Sequence, residues 1–397
     1  MRTIDRRSLI LAAAAGAASM VAGSGRTQGA QVDPAIGFAP DNAFLVQANR
    51  LLARVPAIDI HAHPGRTFGL GAVGLSPPVA AMVAGGPFEA RTMEDMRAGG
   101  LTGGSFSAVA DLQLLDARGT ALVATRPFGP GEAQASYERQ IANLKTNIAA
   151  NGGDIVLAPS DFARLKRQGK IAALLTVEGG DFLVGDVSRV GGAFNDGVRS
   201  ITLVHYRPNE LGDIQTAPAV NGNLTGFGRE VVAEMGRLGM VIDIAHATEA
   251  VVAGVLATTD RPVMCSHTHV LGHGVENARF ITEGLARDIA AHGGVIGAWP
   301  AGIGASTLND FVDRIFQLSE VVGPRHVSLG TDMDANYRPI MTSYRQLPLV
   351  VSELLRRGYG VDNTTAFLGG NFLRVFKTVW AKREDAPFIS WPDLWPG

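Results

Sequence analysis

The stretch FGREVVAEMGRLGMVIDIAH, residues 227–246, holds one complete structural unit. Val231, Val232, Met235 and Leu238 recur at helical spacing, Gly239 stands where a helix ends in a left-handed residue, and an apolar run then leads to His246. A short apolar run bounded by turn residues reads as a strand covered on both faces, as in a parallel sheet. A helix feeding such a strand, with a polar residue at the strand's end, is the repeating unit of a β/α barrel, which builds its active site at the C-terminal strand ends.

The pattern recurs on either side. Residues 57–60 lead to His61 and His63, 171–177 to Glu178, 263–266 to His267, and 326–331 to Asp332. Further strands are expected at 104–111, at 197–204 before His205, and at 294–299, which makes eight. Helices are expected between them at 93–100, 137–150, 160–168, 227–238, 248–258, 283–292 and 308–322. An entry helix at 41–54 has Asp41 as its cap, and helices at 344–357 and about 363–378 close the chain. The expected fold is α/β: a TIM-like (β/α)8 barrel with extra C-terminal helices, one domain over residues 31–397. The polar segment 206–225 is long for a loop in a compact domain, which marks it as either functional or disordered.

Composition removes several classes. Charged residues make up 18% of the 397 and the formal net charge is −2, so nothing points to nucleic acid or an anionic membrane. Cys265 is the only cysteine, which excludes an internal disulfide or a thiolate cage. Arg6-Arg7 followed by a small-residue apolar stretch to about Gly23 reads as an export signal over residues 1–30, of twin-arginine type. The expected location is periplasmic or secreted, with a retained membrane anchor as the alternative.

Chemistry concentrates at the strand ends. His-x-His at 61–63 places two imidazoles on one strand face, close enough for one cation; a hydrogen-bonded core pair is the alternative. Glu178 has two oxygens and can bridge two cations, or can cap the next helix. His246 and His267 supply ligands for a second cation, and Asp332 could take a proton from metal-bound water. Asp59 and Asp334 are expected to orient ligands. Cys265 is expected to be an inert core thiol, His269 and His273 pocket or surface residues, and Asn371 a helix-start residue.

These segments resemble the membrane (renal) dipeptidase family of zinc metallopeptidases, within the metal-dependent amidohydrolase group. The likeness runs from about Ile58 to Val375. It rests on Ile-Asp-Ile-His-Ala-His at 58–63, Thr-Val-Glu-Gly-Gly at 176–180, Ser-Ile-Thr-Leu-Val-His at 200–205 and Leu-Thr-Gly-Phe-Gly-Arg-Glu-Val-Val at 224–232. Gly-Met-Val-Ile-Asp-Ile-Ala-His at 239–246, Pro-Val-Met-Cys-Ser-His at 262–267, His-Val-Ser-Leu-Gly-Thr-Asp-Met-Asp at 326–334 and Leu-Gly-Gly-Asn-Phe-Leu-Arg-Val-Phe at 368–376 extend it.

The resemblance implies a dipeptidase with two divalent ions, zinc by preference, acting on a small dipeptide-like substrate; it also allows a homodimer. It places His61, His63 and Glu178 around one ion and Glu178, His246 and His267 around the other. His205 would stabilise the oxyanion, Arg279 would grip the substrate's terminal carboxylate, and Asp332 would shuttle the proton. Catalysis would fall to Asp332, His205 and Glu178, and substrate binding to His205 and Arg279. Hydrolysis of N-acyl amino acids, lactones or other small amides is the alternative activity, and a non-catalytic binding protein the alternative outside enzymes. Two departures stand out. The family has His-x-Asp where this chain has His-x-His, which leaves the metal pair more positive. Where the family ends its second strand with aromatics, this chain has Ser-Ala-Val-Ala-Asp at 107–111, which changes the pocket lining.

Overall fold

A barrel strand must be apolar on both sides because one face meets the interior and the other the surrounding helices. The computed structural model describes residues 35–84, 88–119, 121–336 and 338–384; the expected export signal lies outside the described residues. Its strands are β1 (Ile58–Asp59), β2 (Gly103–Val109), β3 (Leu115–Arg118), β4 (Ala121–Ala124), β5 (Gly153–Ile155), β6 (Ile171–Glu178), β7 (Val198–Thr202), β8 (Val241–Asp243), β9 (Met264–Thr268), β10 (Val295–Ala298) and β11 (Val327–Leu329). Every residue of β2 and β6 is buried.

Parallel pairing runs β1-β2-β6-β7-β8-β9-β10-β11, a nearly closed barrel of eight strands. The seam between β1 and β11 is held by the N–H of Ile60 donating to Leu329 O (2.9 Å), that of Asp332 to His61 O (2.8 Å) and that of His63 to Met333 O (2.9 Å). Gly297 and Gly330 let the last strands approach: a Cβ on either would stand 1.8 or 1.9 Å from the Ser266 carbonyl oxygen. Ile58, Ala172, Val241, Met264 and Val295, at the starts of their strands, cluster with Phe372, Val375 and Phe376 of the helix Asn371–Ala381. That helix therefore covers the N-terminal end of the barrel, and the opposite end is left for the site.

Threonines start the outer helices. Thr225, Thr248, Thr282 and Thr307 each accept the backbone N–H three residues on, capping Gly226–Leu238, Glu249–Thr258, Glu283–Ala291 and Leu308–Val322. Gly239 ends the first of these at φ 79°, as its position implies.

Most of the barrel strands are shorter than their apolar runs, but β6 and β9 continue through the ligand-bearing Glu178 and His267. Four elements lack a sequence signal. The antiparallel β3–β4 hairpin is only partly buried. β5 is three residues long and pairs beside the start of β6. The helix Pro77–Val83 is short, and Ser188–Asn195 carries two glycines of poor helix propensity. Asn371 does begin a helix, but its side chain is not a cap: Nδ2 donates to the carbonyls of Pro324 and Val327, at 2.8 Å each, and ties the helix to β11. Among the described residues no helix is long and apolar enough to cross a membrane.

Candidate active site

Two buried aspartates fix the strand ends. Asp59 Oδ1 accepts the N–H of His61 (3.2 Å) and of Thr331 (3.0 Å), while Oδ2 accepts the hydroxyls of Thr331 and Tyr344. This locks the histidines after β1 against the segment that carries Asp332. Asp243 repeats the device: Oδ1 accepts from Ala245 N (3.1 Å) and Ser266 N (3.0 Å), and Oδ2 from Thr202 Oγ1 (2.6 Å), binding the ends of β7, β8 and β9 together. Asp334 accepts from Gly65 N (2.7 Å) and Thr92 Oγ1 (2.8 Å), holding the loop after β1. His246 (φ 68°) and Asp332 (φ 55°) are left-handed without being glycine, a strain that persists only where surroundings enforce it.

Glu178 is the hub. Its Oε1 lies 3.0 Å from His246 Nε2, 3.3 Å from His61 Nε2 and 3.7 Å from His267 Nε2. Its Oε2 lies 3.2 Å from His63 Nε2 and 3.3 Å from His205 Nε2. Asp332 Oδ1 stands 3.5 Å from His63 Nε2 and 3.8 Å from His61 Nε2. The structure thus brings together His61, His63, Glu178, His205, His246, His267 and Asp332, all buried. Glu178 caps no helix and the His-x-His pair is no isolated core contact.

The donor set suits divalent cations. His61 Nε2 and His63 Nε2 face each other at 3.2 Å, and His246 Nε2 and His267 Nε2 at 3.1 Å. Burial and the Arg279 charge hold His246 well below the usual imidazole range, and burial with the His61 and Arg279 charges does the same for His267. Two neutral rings converging nitrogen to nitrogen on a carboxylate form a ligand set. The Nδ1 of His63 donates to the Ser107 carbonyl at 3.2 Å, which leaves a lone pair on Nε2. Burial opposes charge on Glu178, yet the His205 and His61 charges outweigh it and hold the carboxyl well below its usual range. Burial likewise opposes charge on His61, but Glu178, Asp332 and Asp243 push it up to about 9. Burial pushes the Asp332 carboxyl up to about 6, against the pull of the His63 and His61 charges. An acid poised there can both accept and return a proton near neutrality.

The cluster opens into a cleft of about 470 Å³. On one side Arg279 Nη2 donates to His267 Nε2 (3.0 Å), a contact that a bound cation would replace, and Nη1 donates to Gln215 Oε1 (2.7 Å). Gln215 comes from the long loop marked in the sequence. Trp299 stands beside Arg279, its ring centroid 5.5 Å from the guanidinium carbon, and its buried Nε1 has no hydrogen-bond partner among the described residues. Phe68, Met82, Leu112, Leu115 and Leu122 line the other side.

Sequence reasoning missed Asp111 as a partner, Asp243 as a clamp, and Trp299 and the hairpin as pocket walls. Asp111 Oδ1 accepts from His205 Nδ1 at 2.6 Å and Oδ2 accepts from Tyr206 N at 2.9 Å. The departure at 107–111 was its only signal. His269 is a core residue away from the cleft: burial and Arg314 bring it down to about 3, and Nε2 meets Gln317 Oε1 at 3.0 Å. His273 lies apart from the ligand cluster, 3.9 Å from Glu283. Cys265 is buried, and burial pushes its thiol up, in keeping with an inert core thiol.

A family model for membrane dipeptidase, peptidase family M19, matches residues 45–388. The chain belongs to the membrane dipeptidase family. Curated members it resembles include dipeptidase aclJ of Aspergillus oryzae, 32% identical over 221 residues (53% of this chain, 52% of that protein). Dipeptidase verJ of Clonostachys rogersoniana is 30% identical over 220 residues (54% and 56%). The chain thus spans about half the length of the curated relatives it matches. Among solved structures, the probable dipeptidase PvdM from Pseudomonas aeruginosa shares the fold with a TM-score of 0.70 at 19% identity, covering 86% of this chain and 99% of that one. A metallopeptidase from Rhodobacter sphaeroides, solved with a phosphinate mimic of the dipeptide L-Ala-D-Ala, gives 0.68 at 20% identity, covering 82% and 99%. Divalent-metal use goes with membership of this family and with the ligand cluster.

Proposed function

We propose that this protein is a metal-dependent dipeptidase that hydrolyses the peptide bond of dipeptides with two divalent cations, zinc by ligand preference. The observation that carries this reading is a single buried carboxylate, Glu178, met by imidazoles from four strand ends: His61 and His63, His205, His246, and His267. His61, His63 and Glu178 would hold one cation, and Glu178, His246 and His267 the other. Bound there, the ions supply Lewis acidity and lower the pKa of water. The chain's own residues do the rest. Arg279 offers a planar fork to a free carboxylate, with Trp299 Nε1–H beside it. His205, steadied by Asp111, directs Nε2 to the centre of the cleft, where it can donate to charge developing on the carbonyl oxygen. Asp332 takes the water's proton and delivers it to the leaving amine.

The solved relative with its dipeptide mimic supports this substrate class. The test is turnover of free and C-terminally amidated dipeptides by metal-loaded protein, wild type and Arg279→Met. Free dipeptides are the better wild-type substrates and lose about 2–4 kcal/mol in transition-state binding on mutation, while amidated ones lose little. Preference for lactones or acyl amides over every dipeptide overturns the reading. Arg6-Arg7 and the apolar stretch after them support export to the periplasm or beyond, which fractionation of the expressing cells tests.

A further inference from the structure

We propose that the cleft selects dipeptides whose N-terminal residue carries a bulky apolar side chain; this rests on the dipeptidase reading above. Around the barrel mouth, the loop after β2 stands three to four places from those after β9 and β10 in the ring of eight, and the loop after β1 two to three places from them. Arg279 follows β9 and Trp299 follows β10, so a substrate's carboxylate end belongs on that side. Glu178 and His205 lie between, at the ends of β6 and β7, where the scissile carbonyl belongs. The remaining residue of a dipeptide, the N-terminal one, then faces the loops after β1 and β2.

What waits there is a wall without charge. Phe68, Met82, Leu112, Leu115 and Leu122 line that side, whereas the charged lining residues, Glu178, Asp332 and Arg279, all belong to the catalytic and carboxylate side. The wall is built, not loose. Phe68 is fully buried and sets its ring edge against His63, with centroids 5.3 Å apart. Ser76 Oγ donates to Leu115 O at 2.9 Å, fastening the helix Pro77–Val83 to the hairpin. Leu122 and Met82 are only half-buried and so retain surface to give to a ligand. The apolar side chains of this wall offer a charged group nothing to pair with, while an apolar one would gain by burial.

The test is a kinetic panel with metal-loaded protein: Leu-Gly and Phe-Gly against Gly-Gly, Asp-Gly and Lys-Gly, with Gly-Leu and Gly-Phe as the reversed pairs. We expect kcat/KM for Leu-Gly and Phe-Gly to exceed that for Gly-Gly by about 10–100-fold. The reversed pairs should gain much less and the charged pairs nothing. In Leu122→Asp, and separately in Met82→Lys from a different element, the ratio of Leu-Gly to Gly-Gly should fall about tenfold, with folding checked by circular dichroism. Non-cleavable phosphinate analogues of the same pairs, ranked as competitive inhibitors, should give the same order. Cleavage with no dependence on the N-terminal residue, or a preference that follows the C-terminal one, overturns this inference and leaves the dipeptidase reading standing. Cleavage of no dipeptide at all overturns both.

Discussion

Asp111→Asn isolates a contact absent from any motif. Asp111 is fully buried and serves two donors, Nδ1 of His205 at 2.6 Å and the backbone N–H of Tyr206 at 2.9 Å. Asparagine offers one acceptor oxygen and one NH2 group, so only one donor can be served. If the amide oxygen stays with Tyr206, the NH2 group faces Nδ1, so His205 must stay neutral and Nε2 donates to the carbonyl oxygen without a positive charge behind it. If it stays with His205, the charge that assists the bond is lost. A hydrogen bond to a charged group contributes about 1.5–3 kcal/mol, so kcat/KM should fall about 10–150-fold. The assay is dipeptide hydrolysis at saturating metal, with metal content measured on the same samples. His205→Ala supplies the control: if Asp111 acts only through His205, adding Asp111→Asn to that background should cost little more. A variant within twofold of wild type, or full additivity in the double mutant, would refute the reasoning.

Asp332→Asn should lower kcat by about 10²–10⁴-fold with metal content near normal, since the carboxyl is assigned to proton transfer; survival of activity with loss of metal would reverse that role. Zinc titrated into metal-free protein should raise the melting temperature, each site adding about 2.7 kcal/mol at a free concentration 100 times Kd. Mild chelation should release one ion before the other, because His63 stands where the family carries a carboxylate, and an unchanged melting temperature at every zinc concentration would sink the ligand assignment. Cys265→Ala should leave turnover within about twofold and cost about 1 kcal/mol of stability, and inactivation of native protein by a thiol reagent would contradict its inert placement. Gly297→Ala should be severely destabilising in chemical denaturation, because its Cβ would stand 1.8 Å from the Ser266 carbonyl oxygen; a neutral result would show that β9 and β10 can separate there.

The linear chain already specified the barrel and its chemistry, for a reason rooted in periodicity. Strands covered on both faces must be apolar throughout, so a single polar residue at the end of each run, such as Glu178 or His246, stands out from its neighbours. Helix ends such as Asp41 and Gly239 were equally legible, because they satisfy local backbone groups and need no distant partner. Pairings between strands far apart in sequence carry no such mark. Asp111 and His205 are 94 residues apart, and Asp59 and Thr331 are 272 apart. Nothing in either segment announces the other; closing the ring of eight strands sets them side by side. The apolar wall arose in the same way, since Met82 and Leu122 read as ordinary residues of weakly patterned segments until the helix and the hairpin folded over the mouth. Local sequence determined which residues could do chemistry, and barrel closure decided which atoms meet.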